Sequence, residues 1–107
     1  MRYADAESRA AVLKALAHPI RVLLLDALRR GDRCVGELMG VARVDPSTIS
    51  RHLAQLKRAG IVTERREGVR IIHHLACPCM LRALECSMDV LHAVQRRNRA
   101  ATRRRRS

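Results

Sequence analysis

Apolar residues recur every three or four positions through the first part of the chain, which is the period of an amphipathic helix. The pattern predicts a first helix over residues 6–16 and a second that begins at Pro19 and ends before Gly31, because proline favours the first turn of a helix and glycine its end. A short third helix is predicted over residues 35–39, before Gly40. The N-terminal half is therefore predicted to consist of short, closely connected helices.

The clearest start of a helix is Asp45 followed by Pro46, an acidic N-cap and then a ring preset for the first helical position. The helix that it opens is predicted to run to Ala59 and to stop at Gly60. Its inward-facing apolar residues are Ile49, Leu53 and Leu56. The opposite side is polar, so this helix is expected to have one buried and one exposed face.

Two stretches rich in β-branched residues follow, over residues 61–65 and 69–75, on either side of a turn at Glu67-Gly68. This arrangement predicts a β-hairpin. The basic residues at its tip are Arg65, Arg66 and Arg70. The hairpin therefore presents positive charge at its exposed end.

A last helix is predicted over residues 80–95, with apolar residues at alternating steps of three and four. This seam of Leu81, Leu84, Met88 and Leu91 suits pairing between helices and fits a contact across a dimer. Residues 96–107 carry seven Arg without apolar periodicity, and we expect them to form a disordered tail. The 107 residues thus correspond to one domain, residues 1–95, followed by an Arg-rich tail.

The composition limits both the core and the partner. Phe and Trp are absent and Tyr3 is the single aromatic residue, so the core is expected to be aliphatic and RNA bases have no aromatic platform to stack on. The formal net charge of +12 favours a polyanionic partner such as nucleic acid. Most of the excess lies in residues 96–107, since residues 1–95 hold 15 basic and 10 acidic residues.

The sequence predicts a cytoplasmic protein without a membrane partner. Acidic residues stand near its start where a secretory signal would be apolar, and no run approaches the ~20 apolar residues of a membrane span. In a reducing compartment the four Cys are expected to be thiol or metal-binding groups. No catalytic triad, paired carboxylates or phosphate-binding glycine loop stands out, so the chain is predicted not to be an enzyme.

The predicted elements follow the order of a winged helix-turn-helix: helices, a tight turn, a helix with one polar face and a basic hairpin. The predicted fold class is therefore mainly α with a small β-hairpin. The helix after Asp45 is expected to enter the major groove of double-stranded DNA. Its outward side chains can form hydrogen bonds with phosphates and base edges, and it contains no acid that would repel phosphate. These outward residues are Ser47, Thr48, Ser50, Arg51, Gln55 and Arg58.

Two stretches, LKALAHPIRVLLLDAL and CVGELMGVARVDPSTISRHLAQLKRAGIVTERREGVRIIHHL, resemble the ArsR/SmtB family of metal- and metalloid-responsive repressors. The resemblance covers residues 10–95 and is most specific in STISRHLAQLKRAG. It implies a homodimer, joined by its first and last helices, that binds a palindromic operator until an inducer releases it. By this resemblance the recognition helix includes Ser47, Thr48, Ser50, Arg51 and His52, and the wing includes Arg65, Arg66 and Arg70.

The cysteines point to the class of inducer. The resemblance implies a CxC pair in the short third helix, but only Cys34 remains of it here, so Cys34 is expected to be a small buried residue. Cys77, Cys79 and Cys86 lie close together in sequence, and three thiolates suit As(III) or Sb(III). If Cys79 and Cys86 were both helical they would stand ~10 Å apart. Either residues 77–79 therefore fold back over the helix, or the partner subunit supplies Cys86.

Three other interpretations stay open from the sequence. Thiols exposed at a helix start can respond to oxidants or reactive sulfur, which would change the signal but not the fold. The four Cys could instead hold a structural zinc in a small RNA-binding protein, or residues 77–79 could form the redox centre of a small oxidoreductase. The last two fit less well, because the chain lacks the two close-spaced cysteine pairs of a zinc ribbon and any parallel-sheet pattern.

Overall fold

In the computed structural model, which describes residues 1–106, the chain forms five α-helices and one three-stranded antiparallel sheet. The helices are α1 (Tyr3–Leu16), α2 (Pro19–Leu28), α3 (Val35–Ala42), α4 (Pro46–Arg58) and α5 (Met80–Arg106). The strands are β1 (Arg33–Cys34), β2 (Val62–Glu67) and β3 (Arg70–Leu75). This arrangement confirms the predicted fold class, mainly α with a small hairpin beside the helix-turn-helix.

Side-chain caps set the starts of α2 and α4, both of which begin with proline as predicted. At α2, the Nδ1 atom of His18 accepts a hydrogen bond from the backbone N–H of Ile20 at 3.1 Å. At α4, the carboxylate of Asp45 accepts one from the N–H of Thr48 at 3.3 Å. These caps satisfy backbone donors that have no partner within the helix, so both starts are local properties of the sequence.

The sheet contains one strand more than the sequence predicted. β2 and β3 form the predicted hairpin, with the turn at Gly68 and Val69, and Gly68 adopts the positive φ of 63° that this turn requires. The additional strand, β1, pairs with the other edge of β3, so the strand order is β1-β3-β2. Its two residues are too few to show a period of two, which is why only the tertiary structure reveals it.

The core lies where α2, α3 and α4 meet the start of the hairpin, and it is aliphatic throughout. The residues that are almost completely buried are Leu24, Leu25, Leu38, Ile49, Leu53, Leu56, Ile61 and Val62. The predicted inward face of α4 is therefore confirmed. On α2, Leu24, Leu25 and Leu28 are buried, whereas Leu23 remains 42% exposed.

α5 packs on the domain only near its start, where Leu81 and Leu84 contact the core, and none of its residues is fully buried. It continues to Arg106, so the prediction that the helix ends at Gln95 and that a disordered tail follows was wrong for residues 96–106. The reason is that no Gly or Pro interrupts residues 80–106, and Arg and Ala are both strong helix formers. Ser107 lies outside the described residues.

No helix within residues 1–106 is long and apolar enough to cross a membrane.

The two neighbouring histidines of β3 lie on opposite faces of the sheet, as their adjacent positions predict. His73 is buried, whereas His74 is exposed and lies 2.7 Å from a carboxylate oxygen of Asp32.

We expect His73 to make stability depend on pH. Its burial lowers the pKa of the imidazole, so the folded chain takes up this proton at a lower pH than the unfolded chain does. The stabilisation is complete above the ordinary histidine pKa of about 6.5 and is lost as the pH falls below it. Denaturant unfolding at pH 7.5 and 5.5 should show a smaller pH-dependent loss for His73→Gln than for the wild type. An equal loss in both would assign the dependence to other groups.

Candidate nucleic-acid interface

The buried residues of α4 determine which of its side chains face outward. Because Ile49, Leu53 and Leu56 anchor the helix in the core, the opposite side carries exposed polar and basic residues. These exposed residues are Ser47, Ser50, Arg51, Gln55, Lys57 and Arg58. The polar outward face that the sequence predicts is therefore present, with three basic side chains and no acid on the helix after the cap; of the three, Lys57 is paired with Glu64 of β2 at 2.6 Å.

The hydroxyl groups in the first turn of α4 are bonded to the capping residue, Asp45. Asp45 accepts hydrogen bonds from the hydroxyls of Ser47, at 2.8 Å, and of Thr48. These bonds lower the pKa of Asp45, with that of Thr48 contributing most, so the cap stays ionised. Thr48 in turn accepts a hydrogen bond from the Nη2 atom of Arg51 at 3.2 Å. Ser47 and Thr48 thus hold the helix start and orient Arg51, a role that the sequence did not distinguish from direct recognition.

His52 is half buried and contacts α2. Its Nδ1 atom accepts a hydrogen bond from the Nε atom of Arg21 at 3.0 Å, and its ring centroid lies 4.2 Å from that of His18. Burial, and then the positive charges of His18, Arg21 and Arg51, lowers the pKa of His52. His52 is predicted to be a DNA contact; in the structure it joins α4 to α2 and lines the shallow cleft on the exposed side of α4.

Arg21 was missed by the sequence analysis. Besides its bond to His52, its Nη1 atom donates to the backbone carbonyl of Ala15, in the last turn of α1, at 2.9 Å. One side chain therefore joins α1, α2 and α4. Arg21 also lines a shallow cleft together with Arg51 and Arg58 on the exposed side of α4. Only its isolated charge within an apolar helix could have drawn attention to it.

The three wing arginines differ in their surroundings. Arg65 forms salt bridges with Asp32 at 2.6 Å and with Glu67 at 2.9 Å. Arg66, by contrast, is exposed and has no side-chain partner among residues 1–106. Hydrogen bonds from Arg65 first and from His74 next keep the pKa of Asp32 low, so this carboxylate stays ionised beside Arg65.

Arg70, the third wing arginine, is fixed to the start of α3. Its Nη2 atom lies 2.8 Å from a carboxylate oxygen of Glu37 and 3.0 Å from the Sγ atom of Cys34. Glu37 also accepts the backbone N–H of Cys34 at 3.2 Å, and this bond contributes most to the lowered pKa of Glu37. Cys34 caps α3 and is only half buried, so the expectation that it is a small buried residue was wrong.

The other three cysteines do not form a site within one chain. Cys77 is half buried, with its Sγ atom 3.8 Å from the backbone carbonyl of Gly60, whereas Cys79 and Cys86 are exposed. All are free thiols, and residues 1–106 contain no group of three or more His, Cys, Asp or Glu side chains close enough to hold a metal ion. Cys79 precedes α5, so a rise of ~1.5 Å per residue leaves it roughly 10 Å from Cys86. A site that includes all three thiols would therefore require either a rearrangement of residues 77–79 or a Cys86 supplied by the partner subunit.

Cys86 borders an apolar face that is exposed in this chain. Because Cys86, Val90 and Val94 are spaced four residues apart, they form one row along α5. Val90 is 61% exposed and Val94 is 40% exposed. A partner that covers the two valines would meet the Cys86 thiol as well.

Comparison with known proteins places this geometry in a family. The sequence profile of the bacterial regulatory proteins of the arsR family matches residues 18–64. The uncharacterized HTH-type transcriptional regulator Rv0081 from Mycobacterium tuberculosis is 38% identical over 87 residues, which cover 80% of this chain and 76% of that protein.

Two solved structures are similar across most of the chain. The homodimeric winged helix-turn-helix DNA-binding domain Mb0332 from Mycobacterium bovis, a possible ArsR-family regulator, gives a TM-score of 0.71 at 32% identity and covers 83% of this chain and 82% of that one. The antimony-specific transcriptional repressor AntR gives a TM-score of 0.74 at 30% identity, over 89% and 86% of the two chains.

We expect Arg51→Ala to weaken binding to a preferred DNA duplex by about 1–3 kcal/mol, because an exposed arginine on the outward face of α4 can contact a base edge or a phosphate. Titrations with the preferred and an unrelated duplex separate the two roles. Loss on the preferred duplex alone indicates base reading, and equal loss on both indicates a phosphate contact. Unchanged affinity for both would remove Arg51 from the interface.

Glu37→Gln should strengthen DNA binding at low salt, because it removes the charge that holds Arg70 while an amide oxygen can still cap α3. If Arg70 then reaches a phosphate, the slope of log affinity against log salt steepens by about 0.9. Glu85→Gln, which removes an exposed acid on α5, is the control with the same change in net charge. Equal effects of the two substitutions would mean that only net charge matters.

Proposed function

Because the chain belongs to the arsR family of bacterial regulatory proteins, whose members are DNA-binding transcriptional regulators, we propose that it is a dimeric repressor released from a palindromic operator by a thiophilic inducer. The observation that carries the proposal is the outward face of α4, which is basic and free of acids beside a basic wing. Family membership also confirms the prediction that the chain is not an enzyme. It gives no support to the zinc-stabilised RNA-binding protein or the oxidoreductase.

The proposed dimer follows from the apolar surface that one chain leaves exposed. Tyr3 and Leu13 of α1 and Val90 and Leu91 of α5 are each more than half exposed. Such surfaces mark contacts with another protein when they are contiguous. The similar Mb0332 domain is described as homodimeric, which supports a second copy of this chain as the partner.

A two-fold symmetric dimer requires an operator with two related half-sites. Each α4 would lie in a major groove, and successive grooves on one side of the duplex are ~34 Å apart. The palindromic operator of the proposal is the sequence counterpart of that symmetry. Any change of the angle between the subunits would therefore move the two α4 helices out of register with the DNA.

We propose As(III) or Sb(III) as the inducer, bound by Cys77, Cys79 and Cys86. These ions favour three sulfur ligands. One of the similar solved structures, AntR, is that of an antimony-specific repressor. Since Cys86 lies roughly 10 Å along the helix from Cys79 and borders the exposed row with Val90, we assign its sulfur to the site of the partner subunit.

The contact of Cys77 with Gly60 offers a route from this site to the DNA. Gly60 lies just after the end of α4. An ion that drew the Cys77 thiolate towards itself would break the contact between Cys77 and Gly60, and α4 would lose this restraint. Only a moderate coupling is needed, because a hundredfold loss of DNA affinity corresponds to ~2.7 kcal/mol. The ion must bind the free geometry of the dimer more tightly than the DNA-bound one.

A thiol-based response to oxidants or reactive sulfur is the second candidate. It is favoured by the exposure of Cys79 and Cys86 as free thiols, which an oxidant or reactive sulfur could join across two subunits by a disulfide or a polysulfide bridge without a metal ion. The two candidates share the fold and the operator and differ only in the signal.

We expect each of Cys77→Ser, Cys79→Ser and Cys86→Ser to retain DNA binding and to lose release by As(III), because an ion with two sulfur ligands is held weakly. Cys34→Ser is the matched control and should retain both properties. DNA release is followed during titration with As(III), Sb(III) and a polysulfide. If the wild type responds to the polysulfide and not to As(III), the second candidate replaces the first.

Mixed dimers test whether the site spans two subunits. Cys86→Ser subunits combined with Cys77→Ser/Cys79→Ser subunits reconstitute one complete set of thiols only if the site is shared. We expect the mixture to bind As(III), although neither variant alone does. Failure of the mixture to bind As(III), while the wild type binds it, would place all three sulfurs in one rearranged chain.

A further inference from the structure

The Arg-rich part of α5 is a helix with an ordered stripe of charge. Arg96, Arg99, Arg103 and Arg106 are spaced three, four and three residues apart, so they lie along one face. Two adjoining surface grooves reflect this arrangement, since the first three of these arginines line one and the last three line the other. We call these four residues the arginine stripe.

This part of the helix projects from the domain. α5 has 27 residues and contacts the core only near its start, and the structure is 66 Å long but 39 Å and 21 Å in its other dimensions. With a rise of ~1.5 Å per residue, the stripe extends for roughly 15 Å. It therefore presents guanidinium groups at a distance from the outward face of α4.

A helix of this kind needs an anionic partner. Arginines three and four residues apart repel one another and destabilise the helix, and residues 96–106 contain no acid to compensate. A polyanion placed along the stripe would neutralise several charges at once. On one DNA strand a phosphate occurs every ~3.4 Å along the axis, so a stripe of this length passes about four of them.

We propose that the arginine stripe is a second, sequence-independent DNA surface, which binds the phosphate backbone of duplex flanking the operator. The inference rests on the proposed function, because it requires a chain already held on DNA by α4. The short side chains near the stripe, Ala100, Ala101 and Thr102, give the helix no apolar face with which to enter a membrane surface. Single-stranded nucleic acid is disfavoured because the segment has no aromatic side chain for stacking.

The test compares two pairs of substitutions with the same change in charge. Arg99→Gln/Arg103→Gln removes two members of the stripe, whereas Arg97→Gln/Arg105→Gln removes two arginines on other faces of the same helix. Gln is close to Arg in helix propensity, and circular dichroism verifies that both variants keep their helix content. Each protein is titrated with a duplex selected for tight binding, with that duplex lengthened by flanks of unrelated sequence, and with an unrelated duplex.

For the lengthened duplex we expect the stripe variant to show a slope of log affinity against log salt that is shallower by about 1.8, at 0.9 per phosphate contact. The control variant should keep the wild-type slope, and the difference should vanish on the duplex without flanks. Both variants should still prefer the selected sequence. Equal changes in the two variants would show that the segment acts as diffuse charge, and no change in either would show that it does not touch DNA. Both results overturn the proposal.

Two further measurements distinguish a failure of the stripe proposal from a failure of the proposed function and from binding to a membrane. If the wild type has no preferred duplex, the proposed function fails, whereas a preference with an unchanged stripe slope defeats the stripe alone. Sedimentation with vesicles of anionic lipid tests the remaining occupant. Vesicle binding that is lost in the stripe variant, together with an unchanged DNA slope, would replace DNA by a membrane surface.

Discussion

The position of α4 in the aliphatic core is the constraint on which the rest of the structure depends. Its buried row, with Ile49 and Leu53, fixes which side chains face outward, and the Asp45 cap fixes where the helix begins. Arg21 then joins α4 to α2 and to the last turn of α1. Movement of α1 or of the loop at Gly60 would therefore displace the recognition helix as a unit.

The basic side chains of α4 and the wing differ in whether they form salt bridges. The wing arginines Arg65 and Arg70 are paired with acids of the same chain, whereas Arg51 on α4 and Arg66 on the wing form no salt bridge among residues 1–106. If the wing contacts DNA as proposed, a phosphate must displace an internal carboxylate before it gains a full contact with Arg65 or Arg70. These two paired arginines would add little attraction until that exchange occurs.

In the proposed dimer, the thiols lie where a local chemical change would reach both the contact between subunits and α4. Cys77 contacts the loop that follows α4, and Cys86 lies on α5 in the row with Val90. Neither thiol belongs to a group of three or more metal-binding side chains among residues 1–106, and this fits the proposed signal, which would act by joining or separating elements. A ligand that bound one chain without altering either contact would leave the DNA affinity unchanged.

The sequence alone determined the elements whose causes are local. The Asp45-Pro46 start of α4, its inward residues, the hairpin and the histidines on opposite faces of β3 all depend on spacing within a few residues. The tertiary structure decided the pairings across long separations, 31 residues for Arg21 with His52 and 36 for Arg70 with Cys34. It also decided β1, which exists only because β3 offers an edge. Packing, rather than local propensity, brings such partners together, and no periodicity records it.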